Sequence, residues 1–248
     1  MEERLELTRR AAATHFWFRG FRGYIEPTLH RVAQGRHDLT LLDCGSGTGD
    51  NLRMLARYGR AYGVDLSRGG LAHTRSLGFA AACGNVTRLP FRSASIDVVT
   101  SFDVLQSVAD DQGAVQEMGR VLKPGGVAIF SMAALELLRG DHSEVWEELQ
   151  RYTASSARAL AEGAGLVPER VTYMFASVFP LILARRVVQR MTQGLRPHSA
   201  DADIRIPAPP INAVLSAIVS GEARIARHVN MPVGSSVLVV ARKPATQR

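Results

Sequence analysis

The stretch LLDCGSGTGD, Leu41 to Asp50, places an acid and three alternating glycines directly behind an apolar run. LTLLDC reads as a buried strand and GTGDNLRMLARYG as a helix, so the glycines sit where a first strand turns into a helix. Three kinds of cofactor site use such a turn, and spacing separates them. A mononucleotide P-loop needs a lysine and a hydroxyl after its last glycine, and both are absent here. Dinucleotide folds favour GxGxxG, because close approach of the backbone to a pyrophosphate demands glycine at those offsets. Here Gly45, Gly47 and Gly49 alternate as GxGxG after Asp43, a spacing that favours a different ligand. Asp65 ends the next apolar run and fits a carboxylate that accepts both hydroxyls of a ribose. An acid at that place is shared with NAD-binding folds.

The strand–helix rhythm continues downstream. RAYGVDL reads as a second strand, SRGGLAHTRSLG as a helix, FAAACG as a third strand and SIDVVTSF as a fourth. DQGAVQEMGRVLKPGG reads as a helix stopped by Pro-Gly-Gly, VAIFSM as a fifth strand, TASSARALAEGAG as a helix capped by Thr153 or Ser155, ERVTYMF as a sixth strand and SSVLVVARK as the last. This order implies an α/β fold with a mostly parallel sheet and helices on both faces. An N-terminal helical region from Glu2 to about Ala33 is expected to break near Gly20 and Gly23. Between the sixth and last strands, two helical patterns flank the Pro-rich link IRIPAPPI.

LLDCGSGTG, YGVDLS, CGNVTRLPF, SIDVVTSFDVLQSV and RVLKPGG stand in an order and spacing that resemble the class I S-adenosylmethionine-dependent methyltransferases, especially the methyltransferase type 11 group with its small-molecule and quinone-biosynthesis members. The resemblance covers about residues 40 to 130. It implies a Rossmann-like seven-stranded sheet with an antiparallel last strand, organised as one domain over 1–248. Within it, 1–35 would form a helical lid, 36–175 the cofactor-binding core, 176–230 a helical insertion and 231–248 the final strand and tail. It also implies that Asp43 and the turn Gly45, Ser46, Gly47 and Gly49 lie against the methionine part of S-adenosylmethionine, that Asp65 holds the ribose, and that Leu66 covers the adenine. Asn85, beside Val86, stands where the family usually has an aspartate that accepts from the adenine amino group; an amide oxygen can still accept. Ser101 and Phe102 should border the reactive methyl. Asp97 and Pro124-Gly125-Gly126 read as architecture.

Methyl transfer from a sulfonium is an in-line displacement whose main demand is alignment in a dry site. A base helps when the acceptor is protonated. Many relatives carry a histidine in a DVLxHV stretch, where this chain has Ser107. The remaining catalytic candidates are Asp103, which could instead cap a helix, and His142, which could be a solvated loop residue. Tyr152 is a candidate for the substrate pocket or for packing. His15, Trp17 and Phe18, within HFWF, are expected as pocket or lid residues, or as a staple of the first helix onto the core.

Composition limits the partners. The chain has 248 residues, 46% of them hydrophobic, enough for one large or two small domains. No run of eighteen apolar residues is present and MEERLELTRR lacks an apolar signal core, so a cytoplasmic location is expected. Cys44 and Cys83 supply neither a disulfide framework nor a set of zinc ligands, so no metal is expected. The net charge of +7 is carried almost wholly by scattered arginines, Lys123 and Lys243 being the only lysines. The ordered motifs of the resemblance, together with the aromatic HFWF cluster, imply a small-molecule or lipid-like acceptor as the main expectation. A nucleic-acid methyltransferase is the alternative, disfavoured because SFDVLQ replaces the di-proline element of many base-amino methylases; a non-catalytic cofactor-binding scaffold is another. In residues 179–191, Leu181, Ala184, Val188 and Met191 share a stripe with Arg186 and Arg190 on another side, a pattern suited to peripheral contact with the inner membrane surface, to covering a lipophilic substrate, or to a homodimer face.

Overall fold

A computed structural model describes residues 14–140, 143–144, 146–191 and 206–245. Within these, α1 (Phe16–Ala33) precedes β1 (Leu39–Cys44), α2 (Asp50–Leu55), β2 (Gly59–Asp65), α3 (Arg68–Ser76), β3 (Ala80–Cys83) and β4 (Ile96–Phe102). Then come α4 (Asp111–Val121), β5 (Leu122–Ala133), α5 (Ala154–Gly163), β6 (Val167–Met174), α6 (Phe179–Met191), α7 (Pro209–Ile225) and β7 (Ser236–Arg242). The seven strands form one sheet in the order β3-β2-β1-β4-β5-β7-β6. Only β7 is antiparallel, pairing with β5 on one side and β6 on the other.

Strand alternation splits the core in two. Leu42 and Cys44 of β1, Val99 of β4 and Val237, Val239 and Ala241 of β7 face one layer with Ala114, Val115 and Met118 of α4 and Ala157 and Ala161 of α5. Leu39 and Leu41, Val98 and Phe102, and Leu238 and Val240 face the other, packed by Ile25 and Leu29 of α1, Leu52 and Leu55 of α2, and Val219 and Ala223 of α7. The order of strands reverses between β1 and β4. In open α/β sheets the crevice outside the carboxyl ends at such a reversal is where ligands bind.

Two local expectations change. The first helix runs unbroken through Gly20 and Gly23 as far as it is described. A Cβ at Gly20 would lie 2.2 Å from Cγ1 of Val219, and one at Gly23 would lie 3.2 Å from Cβ of Ala223. The glycines thus let α7 cross α1 closely rather than breaking it. Secondly, α4 stops at Val121, and the KPGG run belongs to β5, where pairing shifts from Ile96 opposite Leu122 to Val98 opposite Val127. This is a bulge with Gly125 in the left-handed region at φ +78. The end of α4 is closed by Nζ of Lys243, which donates to the carbonyls of Gly119 and Leu122, each at 2.7 Å. Asp97 accepts from the N–H of Thr40 at 2.9 Å and pairs with Lys123 at 2.8 Å, both structural contacts.

The caps follow local rules. Thr153 and Ser156 form a reciprocal capping box on α5. Pro209 and Pro210 open α7, where a missing N–H costs nothing. Glu222 of α7 is buried and joins three segments: it accepts from the Tyr24 hydroxyl of α1, from the N–H groups of Ala176 and Ser177 at 2.7 Å each, and from the Ser177 hydroxyl. Burial and the adjacent Glu222 hold the Tyr24 phenol well above its usual pKa. Removing the carboxylate strands several buried donors. Glu222→Ala should cost about 3 kcal/mol or more in a urea unfolding curve, while Tyr24→Phe should cost about 1 kcal/mol.

Candidate active site

The glycine turn is built on positive backbone angles, with φ of +77 at Gly45, +51 at Gly47 and +82 at Gly49. Side chains rarely adopt this region. At Gly45 space is also lacking, since a Cβ there would lie 2.2 Å from Cγ2 of Val104, just beyond β4. The turn and the exit of β4 are therefore in direct contact. The N–H groups of Gly45 and Ser46 donate to the carbonyl of Val64 at 2.7 and 3.0 Å, anchoring the turn to β2.

Asp65, the last residue of β2, accepts from the N–H of Gly47 at 2.8 Å through Oδ2 and from the N–H of Ser67 at 2.7 Å through Oδ1. Each carboxylate oxygen has two acceptor sites, so both can still take a hydroxyl. Leu66, next in sequence, is 65% exposed, an apolar surface beside that carboxylate. Asn85 is exposed and its Oδ1 already accepts from the N–H of Thr87 at 3.0 Å; Val86 behind it is buried.

Asp43 lies at the tip of β1, 1% exposed. Its Oδ1 accepts from the Thr100 hydroxyl at 2.7 Å, and its Oδ2 is sealed from solvent with no hydrogen-bond partner. Burial pushes this carboxyl up to about 7; the charge of Asp65 adds to the rise, and the Thr100 hydrogen bond opposes it. Asn51 also pulls the value down, although it lies outside hydrogen-bonding geometry with the unpartnered oxygen. The hydroxyls of Ser46 and Ser101 are buried and without partners as well. Three orphaned oxygens thus belong to the glycine turn and the tips of β1 and β4.

Asp103 follows β4 with a left-handed backbone, φ +55, a conformation that Asp tolerates better than most residues. Its N–H donates to the carbonyl of Ser131 at 3.0 Å, and its Oδ1 accepts from the Ser131 hydroxyl at 3.1 Å. The side chain keeps open surface at the mouth of the sheet, yet protein crowds it on most sides. That crowding strips solvent from the carboxylate and pushes it up to about 6; the Ser131 hydrogen bond opposes the rise, Glu148 adds to it and Arg151 counters it. Glu148 and Arg151 form a buried ion pair at 2.8 Å, and Arg151 also donates to the carbonyl of Ala134 and to Ser143.

The remaining sequence candidates are placed differently. Phe102 is buried edge-on against Phe21, with ring centroids 5.0 Å apart. His15 caps α1, its Nδ1 accepting from the N–H of Trp17 at 3.1 Å. Trp17 stacks on Phe175 at 3.7 Å, and Phe18 is half-buried, edge-on to His15 at 6.1 Å. Tyr152 is buried, its hydroxyl donating to Asp111 at 2.8 Å, lying 3.2 Å from the carbonyl oxygen of Leu105 and accepting from Gln150 at 2.7 Å. His142 lies outside the described residues. Sequence reasoning missed Glu148 and Arg151, and also Gln106, which is buried with its Oε1 unpartnered. The DVLQSV run, where Gln106 precedes Ser107, was the available signal. Ser107 itself donates to the carbonyl of Trp146 at 2.9 Å. Cys44 is buried and Cys83 exposed.

A carboxyl whose folded pKa exceeds its unfolded value destabilises the fold as pH climbs between the two. For Asp43 that window runs from about 4 to about 7. The ligand-free protein should therefore lose melting temperature across this range, and Asp43→Asn should flatten the loss. Gly45→Ala, strained and crowded by Val104, should cost about 2–5 kcal/mol in chemical denaturation.

Comparison with known proteins bears on the family and the fold. Residues 42–130 match the family model described as "Methyltransferase domain". A demethylmenaquinone methyltransferase of Roseiflexus sp. (strain RS-1) is 36% identical over 152 residues, covering 56% of this chain and 60% of that protein. A malonyl-[acyl-carrier protein] O-methyltransferase of Herminiimonas arsenicoxydans is 37% identical over 127 residues, covering 49% of this chain and 48% of that one. The chain thus spans about half to three-fifths of the length of these curated relatives. Among solved structures, Haemonchus contortus phosphoethanolamine N-methyltransferase 2 in complex with S-adenosyl-L-methionine superposes with a TM-score of 0.64 at 19% identity, over 98% of this chain and 57% of that one. Residues 42–130 are thus similar to the methyltransferase-domain family, and the described chain shares the seven-stranded α/β fold of the solved S-adenosyl-L-methionine complex.

Proposed function

We propose that this chain is an S-adenosylmethionine-dependent methyltransferase acting on a small-molecule or lipid-like acceptor. The observation that carries the reading is the unpartnered, buried Oδ2 of Asp43 beneath the glycine turn at the strand-order reversal. A buried carboxylate without a partner is costly, and a ligand ammonium is the group that removes the cost. The amino acid half of the cofactor carries one. Ser46 and the turn beside it would hold that half, Asp65 the ribose hydroxyls, and Leu66 with Asn85 and Val86 the adenine. Bound there, the cofactor supplies an electrophilic methyl on a sulfonium.

The chain's own contribution to transfer is alignment, exclusion of water and management of one proton. Asp103, with a pKa near 6, is ionised at neutral pH and still basic enough to take a proton from an acceptor hydroxyl or similar group. Because Glu148 and Arg151 act on it with opposite signs, the ion pair trims that basicity. His142 stays a second candidate for the same task. His15, Trp17 and Phe18 serve the site indirectly, by fixing the start of the first helix, and Tyr152 by holding the segment after β5.

The lipid-like part of the reading is supported by relatives that act, by name, on demethylmenaquinone and on malonyl-[acyl-carrier protein], and by apolar side chains on the outer helices. Leu181, Val187, Val188 and Met191 of α6 are exposed, as are Ile211, Val214, Ile218 and Ile225 of α7. No helix among the described residues is long and apolar enough to cross a membrane. Arg186, expected on the charged side of this helix, is buried, and Arg190 donates to the carbonyl of Leu137 at 2.8 Å, so residues 179–191 would rest on a membrane surface near the source of such an acceptor mainly through these apolar side chains. Flotation with anionic vesicles tests this; a concentration-dependent dimer without flotation would assign the face to a second copy.

S-adenosylhomocysteine should raise the melting temperature of the full chain, and NADH should not. Asp65→Ala should weaken that binding at least about tenfold. With a turned-over acceptor, Asp103→Asn, which keeps the left-handed backbone accessible, should lower kcat about 100- to 10,000-fold and remove the limb of the pH–rate profile near pH 6. A well-folded chain that binds neither the cofactor nor its demethylated product rules the reading out.

A further inference from the structure

At the end of the sheet remote from the glycine turn lies a recess of about 470 Å3 that methyl transfer does not use. It opens where α1 finishes, β6 begins and β7 finishes. Arg242 there stands opposite Val127 near the start of β5, whereas Asp103 meets Ser131 toward that strand's far end. The wall carries Arg31, Arg170, Arg227, Arg242 and His228, with Glu169 as its one carboxylate.

Most of this positive charge is not balanced by protein carboxylates. Arg242 pairs with Glu169. Among the described residues, Arg31, Arg170 and Arg227 pair with no carboxylate. Arg170 donates from Nε to Asn230 at 3.0 Å and from Nη2 to the carbonyls of Ala226 and Val229, just past α7. Arg31 reaches the carbonyl of Arg227 at 3.4 Å. The C-terminal ends of α1 and α7 point to this place, each worth roughly half a negative charge. Four permanently charged guanidiniums against one carboxylate and two helix ends therefore leave a surplus of about two positive charges. Burial, and after it the charge of Arg31, lowers the pKa of Arg170, the mark of a guanidinium lacking a counter-ion. Arg31 and Arg227 are exposed at the rim and Nη1 of Arg170 makes no hydrogen bond among the described residues, so donors remain free to turn inward.

We propose that this recess is an anion site for a phosphate monoester, separate from the methyl-transfer crevice. A monoester dianion matches the surplus charge, and several guanidinium forks match its oxygens. A single carboxylate would neutralise half of it. The ester could be free in solution or the headgroup of a lipid, and the chemistry of recognition is the same.

The test uses the full chain near pH 7.5, where a monoester is mostly dianionic. Inorganic phosphate is titrated calorimetrically against sodium chloride at matched ionic strength. In parallel, phosphatidylcholine vesicles carrying either phosphatidic acid or phosphatidylglycerol at matched surface charge are assayed by flotation, so that non-specific attraction to an anionic surface is held constant. Saturable binding in the phosphate arm supports the site with a free ester as source; binding only to phosphatidic acid vesicles supports it with a headgroup as source. Arg31→Gln and Arg227→Gln, both at exposed positions, should each weaken the positive arm at least about tenfold while leaving the circular dichroism melt unchanged. If phosphate is indistinguishable from chloride and phosphatidic acid adds nothing to flotation beyond phosphatidylglycerol, or if both variants bind as the parent does, the proposal is overturned. S-adenosylhomocysteine plays no part in these readouts, so their outcome is independent of the methyltransferase assignment.

Discussion

A carboxylate shut away from water at the tip of β1 sets the terms for the whole site. Asp43 has one oxygen satisfied by Thr100 and one with nothing to accept from, and a fold does not keep such a group without cause. Two remedies exist: it can take up a proton, as its raised pKa indicates, or a cation can enter beside it. The glycine turn is shaped by the same crowding: at Gly45 and Gly49 the missing side chains let Val104 and Thr74 pack against it, where any larger residue would also be strained. On the proposed reading, binding of a ligand ammonium and relief of this buried carboxyl would be one event.

The two halves of the crevice are built differently. The half with the glycine turn is tied through backbone N–H groups: the Val64 carbonyl holds Gly45 and Ser46, and the Asp65 carboxylate holds Gly47 and Ser67, so the turn is fixed by the chain's own bonds. The half near Asp103 depends on side chains of the segment after β5, where Arg151 bridges Glu148, Ser143 and Ala134. Glu222 adds a third level by joining α1, α7 and the start of α6 through one carboxylate.

The sheet was legible because its signals are local: apolar runs of strand length alternating with helical periods placed the strands to within two residues, except for the start of β5, which begins five residues before VAIFSM. The turn and its acid were legible for the same reason. Tertiary contacts were not. Gly20 and Gly23 carry the local signature of a helix break, yet the partner that needs their missing side chains, α7, lies some two hundred residues away in sequence. KPGG likewise signals a turn, and only the pairing of β5 with β4 makes it a bulge. An aromatic run such as HFWF looks the same whether it faces a ligand or, as Trp17 does, another ring. Tyr152 offers a hydroxyl in sequence, but three partners meet it in space. Orphaned oxygens, the strongest pointers to the site, have no sequence signature at all.

The same reasoning recasts the net charge of +7. Read as a sum, it suggests a polyanionic partner. In the fold, however, many cations act as clamps on backbone carbonyls or as partners in local pairs: Lys243 closes α4, Arg139 reaches Glu148 and Leu149, Arg120 holds Glu117 and the carbonyls of Leu89 and Phe91, and Lys123 holds Asp97. Charge used this way is committed to the chain's own loops and offers little to a nucleic acid. What distinguishes the recess at the far end of the sheet is therefore its geometry rather than its arginine content. There four arginines line one recess with a single carboxylate among them, and two helix ends are too weak to cancel the remainder. A positive total spread over clamps is neutralised piece by piece, whereas one concentrated in a concavity awaits a counter-ion from outside.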